Sequence, residues 1–151
     1  MRILFVCLGN ICRSPTVEGV ARKLAQQEAA HLDLQFDSAG TAGYHIGAAP
    51  DPRSMRAAAA RGYDISALRA RQLHAQDFHR FDLLLAMDVT NLADLRALAP
   101  HGLQDRARLF VPQGVPDPYY GDAEGFETVL DLAEHGSRAL FVAIASLVTA
   151  R

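Results

Sequence analysis

The sequence predicts an α/β fold, a single domain built on a parallel sheet with helices on both faces. Three observations predict it. Short apolar runs recur at strand length, helical segments with recognisable caps separate them, and no linker, low-complexity stretch or fixed-period repeat interrupts the alternation. Alternation of this kind makes βαβ units, and their ligands sit beyond the carboxyl ends of the strands. At 151 residues the chain suits one domain, taken as 1–151, with enough length to bury a core.

The elements follow in order. Arg2 to Cys7 is a buried-strand run. Pro15 to Ala30 is amphipathic, with Val17, Val20, Ala21, Leu24 and Ala25 on one face and Pro15 in the first turn. Leu34 to Ser38 is a second strand. Asp51-Pro52 opens an alanine-rich helix that Gly62 ends. Asp82 to Met87 is a third strand, after which Asp88 caps a helix through Leu98, stopped by Pro100. Leu109 to Val111 is the fourth strand, and residues 123–149 are mostly helical. Phe78, Phe81 and Phe110 are assigned to the core.

Composition narrows the function. Half the residues are hydrophobic and the formal net charge is −2, so nothing draws the chain toward nucleic acid or an anionic membrane. Any anion site must be local. The apolar run 3–8 breaks at Gly9, Asn10 and Arg13, too early for a signal peptide, and Ala139 to Val148 is too short to cross a bilayer. Two cysteines do not make a disulfide framework and suit a reducing cytoplasm. The six histidines show no metal-ligand spacing, and the cysteine chemistry read below needs neither metal nor organic cofactor. Arg53, Arg56, Arg61, Arg69 and Arg71 form a basic stretch that reads as a solvated helix face in preference to a docking surface for acidic substrate segments.

Chemistry concentrates between the first strand and the first helix, in Cys7-Leu8-Gly9-Asn10-Ile11-Cys12-Arg13-Ser14. A loop there turns backbone N–H groups toward one point, and the helix N-terminus adds partial positive charge. Gly9 relieves a tight turn, and Asn10 tolerates left-handed backbone. Arg13 can fork onto two phosphate oxygens. The same field favours the thiolate of Cys7, making it a nucleophile, with Ser14 placed to donate to the sulfur. With 15 basic residues of which only Lys23 is lysine, a Cys-x5-Arg-Ser/Thr match arises by chance in roughly one chain of seventy. The loop lacks the Gly-Lys-Ser/Thr ending of a nucleotide-triphosphate site.

Phosphate transfer also needs an acid for the departing oxygen. Asp117 stands between Pro116 and Pro118, which restrict the backbone, and Tyr119 and Tyr120 follow as walls for a ring. Taken alone, an Asp-Pro pair is a turn former.

Cys7 to Ser14 together with Asp117-Pro-Tyr-Tyr120 resembles the low-molecular-weight protein tyrosine phosphatases. The likeness extends through Asp37-Ser38-Ala39-Gly40, Ala70-Arg71-Gln72 and Met87-Asp88 with Asn91-Leu92. It implies a four-stranded parallel sheet in a three-layer, flavodoxin-like arrangement, and a cysteinyl-phosphate intermediate. By matching position it makes Cys7 the nucleophile, Arg13 the phosphate clamp and Asp117 the general acid and then base. The loop residues Leu8, Gly9, Asn10, Ile11, Cys12 and Ser14 would bind phosphate, Asn10 and Ser38 would hold the loop, and Leu8, Tyr44, Tyr119 and Tyr120 would line an aromatic entrance. Ile11 replaces the threonine of phosphoarginine-specific relatives and points to phosphotyrosine. A histidine that supports the loop asparagine in many eukaryotic relatives is absent at Leu68, so Ser38 is expected to carry that support. This, with arginine outnumbering lysine, suggests a bacterial source. The implied partners are phosphotyrosine proteins, such as a bacterial tyrosine kinase or a polysaccharide-synthesis protein, with inorganic phosphate as product.

Two other functions are weighed. An arsenate-type thiol reductase shares the loop but needs further cysteines, and only Cys12 remains. A non-catalytic anion-binding module needs neither Cys7 nor Asp117. Cys12 has two readings, a trap for oxidised Cys7 or a small packing residue. Tyr119 and Tyr120 read as specificity walls in preference to phosphorylation sites.

Overall fold

In the computed structural model, which describes residues 1–149, strands and helices alternate as β1 (Arg2–Cys7), α1 (Arg13–Glu28), β2 (Gln35–Gly40), α2 (Pro52–Ala60), α3 (Asp77–Arg80), β3 (Leu83–Ala86), α4 (Val89–Leu98), β4 (Ala107–Leu109) and α5 (Ala123–Thr149). The strands form one sheet in the order β2-β1-β3-β4, every pair parallel. Cys7 lies beside Gly40 and Val6 beside Ala86, so the carboxyl ends of the three longer strands reach the same edge of the molecule.

β1 is central because both of its faces find apolar partners. Ile3 and Phe5 pack toward α1 and α5, against Val17, Val20, Leu24, Leu130 and Phe141. Leu4 and Val6 pack the other way, against Phe78 of α3, Phe81 and Leu95 of α4. A strand buried on both faces has no polar positions to spare, which is why 3–6 read as a continuous apolar run. Each such side chain contributes about 1.5–3 kcal/mol by leaving water. Phe5 also stacks on Phe36 at 5.8 Å and meets the edge of Phe110 at 5.4 Å, which fixes how β1 sits on its neighbours.

The boundaries depart from the sequence reading in ways that matter. α1 begins at Arg13, two residues before Pro15, so Arg13 and Ser14 belong to its first turn. The short α3 was not anticipated. The fourth strand is Ala107–Leu109 and not 109–111. Ala107 and Leu109 pair with Leu84 and Ala86, after which residues 111–114 turn through Gly114 at φ +77° and Val115 N–H returns to Met87 O. Phe110 N–H still bonds to Ala86 O at 2.9 Å, while the Phe110 and Val111 side chains are buried by packing, and Gly136 of α5 leaves room for Phe110, whose ring would stand 2.5 Å from a methyl there.

The basic stretch is also not one helix face. α2 stops at Ala60, and Arg61 turns to α5, where it pairs with Glu127, Asp131 and Glu134. Arg71 lies in the loop before α3, between Asp37 and Asp77. Among the described residues, no helix is long and apolar enough to cross a membrane.

Candidate active site

Residues 7–14 leave the end of β1, loop back and enter α1, so the loop stands at the carboxyl edge of the central strand. Asn10 takes the left-handed conformation at φ +59°, as its type allows. Gly9 lies close under a neighbouring side chain. Its φ is not positive; a Cβ there would lie 3.0 Å from the His45 ring. Gly40 is tighter still, because a Cβ would come within 2.7 Å of Leu8 O. Backbone of the loop therefore lies directly on backbone of β2, an approach only glycine permits.

Within the loop, the Asn10 N–H points at Cys7 Sγ from 3.3 Å, and Ser14 Oγ lies 3.0 Å from the same sulfur. Among the described residues, the N–H groups of Gly9, Ile11 and Cys12 have no protein acceptor. With the first turn of α1 behind them, they form a cradle for an anion.

Arg13 is almost fully buried and reaches across the cradle. Its Nη1 donates to Asp88 Oδ2 at 2.6 Å and to Val115 O at 3.1 Å, while Nη2 stands 3.8 Å from Asp117 Oδ2. Two carboxylates from separate loops thus face one guanidinium. Asp117 accepts a bond from Tyr119 N–H at 3.1 Å and remains open to solvent between its prolines. The segment carrying it is anchored by the Val115 bonds to Arg13 and Met87.

The loop asparagine is held on three sides. Asn10 Nδ2 donates to Ser14 Oγ at 2.8 Å and to Ser38 Oγ at 3.0 Å, and its Oδ1 accepts from Arg71 N–H at 3.0 Å. Ser38 supports it as expected, but shares the task with a backbone group that the sequence does not advertise. A third tie joins Asp51 N–H to Ile11 O at 2.8 Å, linking the cap of α2 to the loop.

These groups floor a cleft of about 320 Å³ whose lining includes every loop residue from Cys7 to Arg13 with Asp117. Tyr44, Tyr119 and Tyr120 stand at its mouth, with the rings of Tyr119 and Tyr120 edge-to-face at 4.8 Å. Tyr44 and Tyr120 are 76% and 95% exposed, so packing does not confine them. The Arg53 guanidinium lies 5.5 Å over the Tyr119 ring. Leu8, also exposed, completes the apolar rim.

Cys12 is buried at the edge of the same cleft, and both cysteines are free. Burial, aided by the Asp51 carboxylate, pushes its thiol up to about 12. Its thiolate is scarce at neutral pH, which favours the packing reading over that of a ready trap.

Sequence reasoning missed two lining or clamping residues. His45 was set aside as a surface histidine, yet it borders the cleft next to Gly9; its place beside Tyr44 was the available signal. Asp88 was read only as a helix cap, which it is, accepting from Asn91 N–H at 2.8 Å. It also follows β3, the neighbour of β1, and strand ends of adjacent parallel strands share one edge. Among the described residues, no group of three or more His, Cys, Asp or Glu is placed to hold a metal ion.

Comparison with known proteins bears on this geometry directly. The family model "Low molecular weight phosphotyrosine protein phosphatase" matches residues 2–150. The chain belongs to that family. It is 38% identical to the low molecular weight protein-tyrosine-phosphatase of Streptomyces coelicolor, over 99% of this chain and 97% of that protein. Among solved structures, a protein tyrosine phosphatase from Entamoeba histolytica, crystallised with Hepes in its active site, superposes with a TM-score of 0.92 at 35% identity, covering 97% of each chain. Vibrio vulnificus Wzb in complex with benzylphosphonate superposes with a TM-score of 0.84 at 29% identity, covering 94% of this chain and 97% of that one. The four-stranded parallel sheet is that of the family, and Cys7 and Arg13 fit its Cys-Arg phosphate-binding loop.

Proposed function

We propose that this phosphatase removes phosphate from phosphotyrosine in proteins, and from small aryl phosphates, with Cys7 as nucleophile, Arg13 as phosphate clamp and Asp117 as general acid and then base. The observation that carries the reading is the convergence on one cleft of the Cys7 sulfur, its cradle of N–H donors, and Arg13 facing Asp117.

In the first step Cys7 Sγ forms a bond to phosphorus as the bond to the tyrosyl oxygen breaks, and Asp117 gives that oxygen a proton. In the second, Asp117 takes a proton from water, whose oxygen attacks phosphorus and releases Cys7 and inorganic phosphate. Arg13 and the loop N–H groups stabilise charge on the equatorial oxygens in both steps, the largest contribution expected in phosphoryl transfer. The rim of Leu8, Tyr44, Tyr119 and Tyr120 suits a flat aromatic leaving group. Benzylphosphonate held by the Vibrio relative is an aryl ligand of this kind. The partners are phosphoproteins; a tyrosine kinase or polysaccharide-synthesis protein is the finer reading.

Steady-state hydrolysis of p-nitrophenyl phosphate in the presence of chelator tests it. Cys7→Ser should abolish turnover, and Asp117→Ala should lower kcat by about 10²–10³-fold. Activity surviving Cys7→Ser, or an inert wild type that still binds phosphate, would overturn the assignment.

A further inference from the structure

Arg53, in the first turn of α2, reaches the rim of the cleft from outside it, and the reaction described above does not use it. Its guanidinium is gripped along one edge. Nε donates to Asp51 Oδ1 at 3.0 Å and Nη2 to Asp51 Oδ2 at 2.8 Å, a two-point contact that fixes the plane of the group. Asp51 is itself buried, and its backbone N–H donates to Ile11 O. The arginine is thus placed relative to the phosphate-binding loop.

Two rings lie within cation–π range of it, Phe126 at 4.8 Å and Tyr119 at 5.5 Å. Phe126 is buried in the first turn of α5 and gives the arginine a fixed backing. Tyr119 is only half-buried, so its ring depends on this contact, whereas Tyr120 beside it is 95% exposed. The Tyr119 N–H holds Asp117 Oδ1. A path of contacts therefore runs around the outside of the cleft, from Ile11 through Asp51, Arg53 and Tyr119 to Asp117.

We infer that Arg53 is a positioning residue for the general acid: held flat by Asp51, it fixes Tyr119 and thereby the orientation of the Asp117 carboxyl group. This deepens the proposed reaction and rests on Asp117 being its acid. The Asp117 side chain is 45% exposed, so packing does not select its rotamer. Its other neighbour is Arg13 Nη2, 3.8 Å from Oδ2, and bound phosphate competes for that guanidinium. With substrate in place, the Tyr119 N–H is the hold that remains. A proton donor displaced by about 1 Å costs as much as about 10²-fold in rate. A cation at a cleft edge also suits docking of acidic residues that flank a phosphotyrosine. Asp51 already matches the Arg53 charge, and the two roles part on substrates that have no flanking residues.

Small aryl phosphates with unlike leaving groups test the inference. p-Nitrophenolate departs readily without a proton, and phenolate needs one far more. In Arg53→Gln, kcat/KM should fall about tenfold for phenyl phosphate and only about twofold for p-nitrophenyl phosphate. Arg53→Lys keeps the charge but has no planar fork to bond both Asp51 oxygens while lying over the rings. It should show the same selective loss, and it carries the test if Arg53→Gln does not fold. Asp117→Ala should show a larger selective loss, to which Arg53→Gln adds less than about twofold. Equal loss on both substrates, wild-type values in Arg53→Lys, or an undiminished Arg53 effect without Asp117 would overturn the inference. Selective loss in Asp117→Ala alone would leave the phosphatase reading standing and sink only the role of Arg53. Selective loss in neither variant would sink both.

Discussion

One carboxylate of Asp88 serves two elements, accepting from Arg13 Nη1 at 2.6 Å through Oδ2 and from Asn91 N–H at 2.8 Å through Oδ1. The residue that starts α4 is thereby the residue that aims the phosphate clamp. Because Arg13 is nearly enclosed, its orientation depends on such fixed acceptors and not on solvent.

The two duties separate by substitution. Asp88→Asn keeps a good helix cap but replaces an ion pair with a neutral contact. Its KM should rise and inhibition by inorganic phosphate weaken, with kcat/KM down about tenfold and thermal stability nearly unchanged. Asp88→Ala should show the same kinetic loss and, in addition, lose about 1 kcal/mol in urea unfolding as the cap disappears.

Gly40→Ala examines the contact between β2 and the loop. A methyl 2.7 Å from Leu8 O and 3.1 Å from Gly9 C forces the loop backbone off the strand. The expected result is loss of about 2 kcal/mol of stability together with a kcat deficit out of proportion to it, since Cys7 and its N–H donors move with the loop. Denaturation and p-nitrophenyl phosphate assays on the same preparation would check it; wild-type kinetics would refute the steric argument.

Selective labelling follows from the unlike settings of the two thiols. Burial and Asp51 hold Cys12 protonated at neutral pH, while the Cys7 sulfur sits among the loop's donors, the Asn10 N–H and Ser14. Native protein treated with iodoacetate should take up one equivalent, at Cys7, by peptide mapping. Unfolded protein should take up two.

At alkaline pH, Tyr63 provides a stability signature. Burial, with a 2.6 Å hydrogen bond to Glu134, pushes its phenol up to about 12 in the folded chain. In the unfolded chain it titrates near its ordinary value of about 10. The unfolded state therefore releases its proton first, so the contribution is fully present below about pH 10 and is lost as pH rises to about 12. Tyr63→Phe should be less stable at neutral pH by about 1 kcal/mol and should show a shallower alkaline decline in urea unfolding.

Much of this was legible in the residues themselves. β1 announced itself because both faces are buried, and α2 and α4 because Asp51 and Asp88 cap them as such residues do. The loop was legible because its chemistry needs particular side chains in a short span. What escaped depends on contacts between distant segments. β4 was misplaced by two residues because Phe110 and Val111 are as apolar as a strand but lie where the pairing ends, with their side chains buried against α5. The Arg13–Asp88 pair and the Arg71 N–H to Asn10 bond join residues 75 and 61 positions apart, and a backbone donor leaves no mark in the side-chain sequence. Arg61 and Arg71 looked alike in the sequence, and only their acidic neighbours separate them.

The exposure of Tyr44 and Tyr120 has a consequence for how this protein can change. Neither ring contributes burial to the core, so replacing either should leave the unfolding transition where it is. The floor of the cleft is constrained by Gly9, Gly40 and the contacts that hold Asn10, while these two rings answer only to the molecule that enters the cleft. New substrates can thus be acquired by rewriting those two positions alone, with the chemistry inherited unaltered.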